Sequence, residues 1–269
     1  MPRSPFDVHK AKWVKNDDVY MKDSRQDDIV IPVMGAMGGG KSTFINNCLS
    51  HFGTNGPLAP TSAGFHPGTS KVAHYTATYL TTGRRLVLVD TPGFDHGQLE
   101  AAEVLRRIAV WLSASYSDGV TVAGVVYIYD VASIRYTKGH ELCMDLFEKL
   151  CGCDSLSGVM VATTRVGTIP DGLEPVQEQE LRNEWKSLLE GHPCAEMFHL
   201  ENSTSSAASL VGRILERQSN GVLLQLQRQI VDDNKSVDKT EAGRLVKQGS
   251  GDQWFKVWKK WYSKVLDRS

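Results

Sequence analysis

The sequence has little of what would place a chain outside the ordinary α/β class. Its longest apolar run, Val122 to Tyr129, falls far short of the roughly 20 residues needed to span a bilayer. No apolar stretch of the secretory type stands near Met1. The five cysteines (Cys48, Cys143, Cys151, Cys153 and Cys194) are an odd number without metal-ligand spacing. Cys151-Gly-Cys153 has no second pair, which argues against zinc and for plain thiols in a reducing compartment. Neither sign of charge dominates: 30 Lys+Arg against 31 Asp+Glu give a net −1, so nothing global points to nucleic acid or to an anionic surface. Internal repeats and low-complexity tracts are also missing. A cytoplasmic protein with one large or two small domains is the expectation for 269 residues of this kind.

Apolar runs alternating with helical periodicity begin at Ile29. Strands are expected at 29–34, 71–80, 85–90, 121–129, 157–163 and 196–200, and helices at 41–51, 98–114, 138–151, 176–190 and 206–218. Thr81-Thr82-Gly83 reads as a tight hairpin turn, which makes 71–80 an antiparallel edge strand. The remaining strands are joined through helices, which favours right-handed crossovers and a mostly parallel sheet covered on both faces. Residues 1–28, with six Lys/Arg and six Asp, read as a solvated, partly disordered arm. The main domain is expected over 29–220. Residues 221–269 read as three helices, "GVLLQLQRQIVDD", "DKTEAGRLVKQ" and "DQWFKVWKKWYSKVL", forming a helical extension.

Three stretches carry chemistry. In "VMGAMGGGKSTFINN" the residues Gly35, Gly40, Lys41 and Ser42 fit G-x-x-x-x-G-K-[ST], between an expected strand and an expected helix. A glycine turn lets successive backbone N–H groups point at a phosphate, and the helix N-terminus adds positive potential. Lys41 reaches outer phosphates and the Ser42 hydroxyl suits Mg²⁺. Met37, Gly38, Gly39 and Thr43 complete the cradle. In "RRLVLVDTPGFDHG" a strand delivers Asp90 at its end, where ligands sit in open α/β sheets. Asp90 there suits the metal, and Gly93 allows a close backbone approach to a terminal phosphate. The loop "SAGFHPGTSKVAHY" lies between them and needs one hydroxyl for the metal shell. Thr69 is the first candidate, with Ser70 and Thr61 behind it. Together these stretches predict a P-loop NTPase: a three-layer α/β/α sandwich with C-terminal helices.

With Gly35–Ser42, Thr69 and Asp90-Thr-Pro-Gly93 in hand, the chain resembles GTPases of the translation-factor class. Within that class it looks like the septin-, dynamin- and immunity-associated branch, and most of all like fungal G-domain proteins sharing "VMGAMGGGKSTFIN", "DTPGFD", "LFEKLCG" and "VMVATTR". The resemblance spans about residues 29–245. It implies Mg²⁺-dependent binding of GTP and GDP, slow hydrolysis, and activity often tied to a nucleotide-dependent homodimer.

One motif departs from that pattern. Guanine is ordinarily selected by N/T-K-x-D after the fifth strand, but here "VMVATTRVGTIP" puts Thr164 and Arg165 in the first two places and Gly167 in the place of the Asp. Without that bidentate acceptor, discrimination against adenine is relaxed and ATP and ADP become candidate ligands. Arg165 is expected to stack on the base. Asn202 and Ser203 in "ENSTSSA" resemble the fifth motif and offer backbone contacts, and Glu201 or Asp171 is a candidate replacement acceptor.

Phe94 stands where small GTPases carry the Gln that orients water. Asp95 or His96 is the candidate for that task, and slow turnover follows. An Arg supplied in trans is a further device, with Arg135 the candidate, and Met37 projects where bulk hinders such a residue. In 252–269 the aromatic positions Trp254, Trp258 and Trp261 recur at helical spacing among lysines, for a net +3. Packing on the domain is the favoured reading over contact with a membrane surface.

Overall fold

β1, Ile29–Gly35, is buried at all seven positions, which is possible only for a strand covered on both faces. Its alternation sorts side chains into two apolar layers. Ile29, Ile31 and Val33 belong to one cluster, and Val30 and Met34 to the other. The same division recurs in β3, Arg85–Asp90, in β4, Val125–Asp130, and in β5, Val159–Thr164. The computed structural model describes residues 23–54, 56–61, 69–95, 101–132, 138–165, 174–191, 193–217 and 221–250.

The sheet has six strands in the order β2-β3-β1-β4-β5-β6, with β2 at Ala73–Thr78 and β6 at Glu196–His199. All neighbours are parallel except β2 and β3, which run antiparallel from Ala73↔Asp90 to Thr78↔Arg85. Their turn is closed by Gly83 N–H donating to the Tyr79 carbonyl at 2.8 Å. On one face lie α1, Lys41–Phe52, and α6, Thr204–Arg217. On the other lie α2, Ala101–Ser117, α3, Lys138–Cys151, α4, Glu174–Glu184, and α5, Lys186–Leu189. This is the three-layer fold expected of a P-loop GTPase domain.

Some boundaries differ from the sequence expectation. The expected edge strand over 71–80 shortens to β2. The strand expected from 121 starts at Val125, with Val122 making isolated bridges to Val30 and Val222. The helix expected over 176–190 is broken at Trp185, whose buried ring meets Tyr129 edge-on at 4.8 Å. Packing of that ring overrides helical continuity.

Two segments outside the sheet are tied closely to it. Asp28 is buried and takes two hydrogen bonds from Arg85, which also bonds Asp23, so residues 23–28 are pinned to the start of β3. After Gly221 the expected helix over 221–233 appears as a short turn, α7, Gln225–Gln227, running into a wide π-turn over Arg228–Asp232. α8, Glu241–Ser250, follows. Leu224, Leu226, Ile230, Ala242 and Val246 enter the same apolar layer as α2 and α3. Gln227 is buried with them and donates to the Leu112 carbonyl of α2 at 3.1 Å. The segments carrying Arg135, His96, Gly167, Asp171 and the aromatic helix expected in 252–269 lie outside the described residues.

One ion-pair cluster anchors β6 to α6. Arg213 Nε donates to Glu196 Oε1 at 2.8 Å and Arg217 donates to the other oxygen. Burial alone would raise the Glu196 carboxyl, but the two guanidinium hydrogen bonds outweigh it and hold the group below its ordinary value. A depressed carboxylate contributes stability above its unfolded value, and that stability is lost as pH falls through the folded one. Glu196→Gln is therefore expected to lower Tm by about 1–3 °C at pH 7, the scale of a half-exposed pair. The gap from the wild type should narrow in a thermal scan as pH falls below the ordinary carboxylate range. A gap that is constant with pH would show that the pair's charge contributes nothing.

Candidate functional site

β1 lies between β3 and β4, and the chain leaves it first toward β3 and later toward β4. Such a reversal opens a crevice at the carboxyl end of β1. The loop Gly35–Gly40 occupies that crevice. Gly35 has φ +134°, and a Cβ there would lie 2.2 Å from the Ile128 carbonyl oxygen. No side chain with a Cβ fits, because the loop passes directly over β4. Gly40 precedes α1 in a left-handed conformation, and no side chain caps that helix. The first-turn amides of Lys41, Ser42 and Thr43 thus meet no capping oxygen of the chain itself, the arrangement that suits an anion.

Lys41 is 7% exposed, and its Nζ donates to the carbonyls of Gly35 at 3.0 Å and Ala36 at 2.7 Å. Burial pushes its pKa down, against the opposing pull of the Asp90 and Asp95 carboxylates. The ammonium is therefore held under the loop before any ligand arrives.

Asp90, at the end of β3, is fully buried. Its Oδ2 accepts hydrogen bonds from Ser42 Oγ and Thr69 Oγ1, each at 2.8 Å, and the two hydroxyls stand 3.3 Å apart. Burial pushes the Asp90 carboxyl up, with the two hydroxyls and Lys41 acting in the opposite direction. Its other oxygen, Oδ1, finds no hydrogen-bond partner among the described residues. A buried carboxylate oxygen left so is costly unless something else satisfies it. Two hydroxyls and one carboxylate are hard oxygen donors, the set that suits Mg²⁺ completed by waters and phosphate oxygens. No group of three or more His, Cys, Asp or Glu residues that could hold a metal ion occurs among the described residues.

Of the three hydroxyls considered from sequence, the structure brings Thr69 to Asp90. Thr61 lines the same cavity. The Ser70 carbonyl instead accepts from Arg107 Nη1 of α2 at 2.9 Å, a strut that sequence reading did not expect. The cavity, about 160 Å³, is lined by Met37, Gly38, Gly40, Lys41, Ser42, Thr43, Thr69 and Gly93 among others. Gly93 lies tight against the loop: a Cβ would fall 2.6 Å from Met37 N. Met37 itself is 44% exposed. Phe94 turns inward, 4% exposed. Asp95 Oδ1 accepts the Met37 N–H at 2.7 Å.

A larger pocket of about 740 Å³ adjoins the first beyond Gly40. Its walls are Gly39, Thr43, Phe44, Asn47, Thr164, Arg165, His199, Leu200, Glu201 and Asn202. Thr164 Oγ1 donates to the Gly39 carbonyl at 3.1 Å. Arg165, at φ +59°, donates from Nη2 to the Gly38 carbonyl at 3.2 Å and pairs through Nη1 with Asp130 at 2.9 Å. The guanidinium thus braces the glycine loop and the end of β4 from a place in the wall of this pocket. Ser203 is not in the wall; its Oγ accepts the Ser206 N–H at the start of α6. Asn202 Oδ1 accepts from Asn47 Nδ2 at 3.0 Å.

Asn47 and His199 were missed by the sequence reading. A signal existed for each: Asn47 follows Thr43 by one helical turn, and His199 ends β6, on the carboxyl side where the crevice lies.

Sheet order, glycine loop and strand-end carboxylate define a P-loop domain with the fold of G-domain GTPases. No protein-family model matches the chain, and no curated protein matches it. Among solved structures it is similar to Toc33 from Arabidopsis thaliana in complex with GDP and Mg²⁺, at 15% identity and TM-score 0.53, covering 71% of this chain and 86% of that one. It is similar also to a chain from the study of atToc33 and psToc159, chloroplast translocon components for whose GTPase activity dimerisation is important. There the identity is 14% and the TM-score 0.56, with 74% and 86% covered. The likeness lies in the fold. No helix among the described residues is long and apolar enough to cross a membrane.

Proposed function

We propose that this chain is a Mg²⁺-dependent purine nucleotide-binding protein that hydrolyses NTP to NDP and phosphate, with GTP the preferred substrate, slow turnover and relaxed base choice. The convergence of Ser42, Thr69 and Asp90 oxygens beside a buried lysine and an uncapped helix carries this reading. Each of those groups answers one requirement of a polyphosphate tail.

In this reading the amides of residues 38–43 and the α1 N-terminus hold the inner phosphates. Lys41 neutralises charge between the outer ones. Ser42, Thr69 and Asp90 would hold Mg²⁺, and the ion would supply positive charge to the phosphate tail. Thr69 joins this set from a loop outside the P-loop, so its position senses whether the terminal phosphate is present. The Gly93 N–H reaches the same phosphate because no side chain separates it from the loop.

Turnover is slow because Phe94 is apolar and buried, which leaves Asp95 and His96 as the polar groups for orienting water. Base choice is relaxed because the walls of the larger pocket offer Asn47, His199, Glu201 and Asn202, a mixed set of donors and acceptors. A nucleotide-dependent homodimer, with an Arg supplied in trans, is the proposed route to faster hydrolysis.

Phosphate release from GTP and from ATP tests this. Expected are slow release from both, a kcat/KM ratio favouring GTP by less than about 100-fold, and a rate per molecule that rises with protein concentration. Binding of both nucleotides without release would make the chain a nucleotide-dependent assembly module instead.

A further inference from the structure

The P-loop already holds an anion of the chain's own. Asp95 Oδ1 sits 2.7 Å from the Met37 N–H, and the Asp95 charge also acts on Lys41. A Cβ added at Gly93 would touch Met37 N at 2.6 Å and Asp95 Oδ1 at 2.7 Å. The turn 93–95 therefore lies flat on the loop, and only glycine at 93 permits it. Phe94 locks the turn from the other side through its place in the core. Met37, Lys41 and Gly93 line the small cavity and are not among the walls of the larger pocket.

We propose that Asp95 is a specificity-determining residue that sets the preference between nucleoside triphosphate and diphosphate, by holding the terminal-phosphate end of the cradle with its own carboxylate. The proposal rests on the nucleotide-binding reading above and adds a function to one residue of that site. A diphosphate fills the inner cradle beside Lys41 and α1 and leaves the Asp95–Met37 bond in place. A third phosphoryl group brings further negative charge to the Gly93 end. There it meets a carboxylate of like sign, and the two compete for the same ammonium and the same stretch of loop. Triphosphate binding therefore requires Asp95 to leave Met37, which frees the 93–95 turn. The triphosphate is penalised by the release of the carboxylate and the diphosphate is not. The penalty is coupled by linkage to the position of the turn.

The test is calorimetric titration of the full chain with GDP and GMPPNP in Mg²⁺, with ADP and AMPPNP in parallel. Wild type, Asp95→Asn and Asp95→Ala are compared. Asparagine keeps an acceptor oxygen for the Met37 N–H and removes only the charge; alanine removes both. Expected in both variants is about ten-fold tighter triphosphate binding, with diphosphate affinity within two-fold of the wild type. A common shift of both nucleotides would mean that Asp95 only shapes the loop, and it overturns the proposal. Unchanged or weaker triphosphate binding overturns it as well. Wild-type protein that binds neither di- nor triphosphate removes the nucleotide-binding reading itself. That outcome is recognised without any variant, so the two failures are told apart.

Discussion

Lys41→Met is expected to weaken GTP and GMPPNP binding by roughly two orders of magnitude and to reduce phosphate release to background. Charge-assisted hydrogen bonds contribute about 1.5–3 kcal/mol each, and the ammonium would make at least one such bond to the outer phosphates. Methionine suits this test because its length and apolar stem resemble those of lysine, so the buried channel under Gly35 and Ala36 stays filled. What disappears is the pair of hydrogen bonds to those carbonyls together with the cost of keeping a buried charge. These two changes oppose one another, so Tm without nucleotide should stay within a few degrees of the wild type. Titration and a thermal scan on one preparation check both halves. Undiminished affinity in a folded variant would remove the lysine from the site.

Asp90→Asn should separate stability from function in the opposite sense. The wild-type carboxylate is fully buried, and one of its oxygens has no partner among the described residues. Its negative charge therefore costs the unliganded protein free energy that a near-isosteric neutral amide does not. The amide oxygen still accepts from Ser42 and Thr69. Relief of about 1 kcal/mol corresponds to a Tm rise of roughly 2–4 °C in a domain of this size. Function should move the other way. An amide is a poor substitute for a carboxylate toward Mg²⁺, so hydrolysis is expected to fall by about 100-fold. The thermal shift that GMPPNP gives with Mg²⁺ should shrink to the value measured in EDTA. An unchanged rate, or a variant less stable than the wild type, would contradict the assignment. Such a trade is the usual mark of a residue kept for its ligand rather than for the fold.

Local features were the legible ones. Gly35–Ser42 and Asp90–Gly93 could be read because each motif is contiguous, and strand, turn and helix follow one another within a dozen residues. The β2–β3 hairpin was readable for the same reason, through Gly83. Thr69 was harder: three hydroxyls on one loop share the same composition, and only the fold shows which one faces Asp90. Arg165 was read as a base-stacking group because its place in a motif suggested it. Its hydrogen bond to Gly38 and its ion pair with Asp130 were not legible, because those residues lie far away in the chain and share no local pattern with it. The Asn47–Asn202 contact joins α1 to the loop before α6 across 155 residues, and no periodicity records it.

The C-terminal segment shows a different limit. Residues 221–250 read as separate helices of an extension to the main domain. In the fold Gln227 and Gln229 are buried and satisfied, one by the Leu112 carbonyl and the other by both the side chain and the backbone amide of Glu241. A polar residue whose hydrogen bonds are all made inside the protein is invisible to a hydropathy pattern.

By itself the sequence determined the strand-and-helix alternation, the parallel sheet with its antiparallel edge, and the glycine loop followed by lysine and serine. Those follow from nearest neighbours: burial alternation within a strand, turn chemistry, and the backbone freedom of glycine. Only the tertiary structure decided which hydroxyl meets Asp90, that Arg165 braces the loop, and that Asp95 rests on Met37. Each of these joins residues through space, and the free energy that selects such a contact depends on packing that no local stretch encodes.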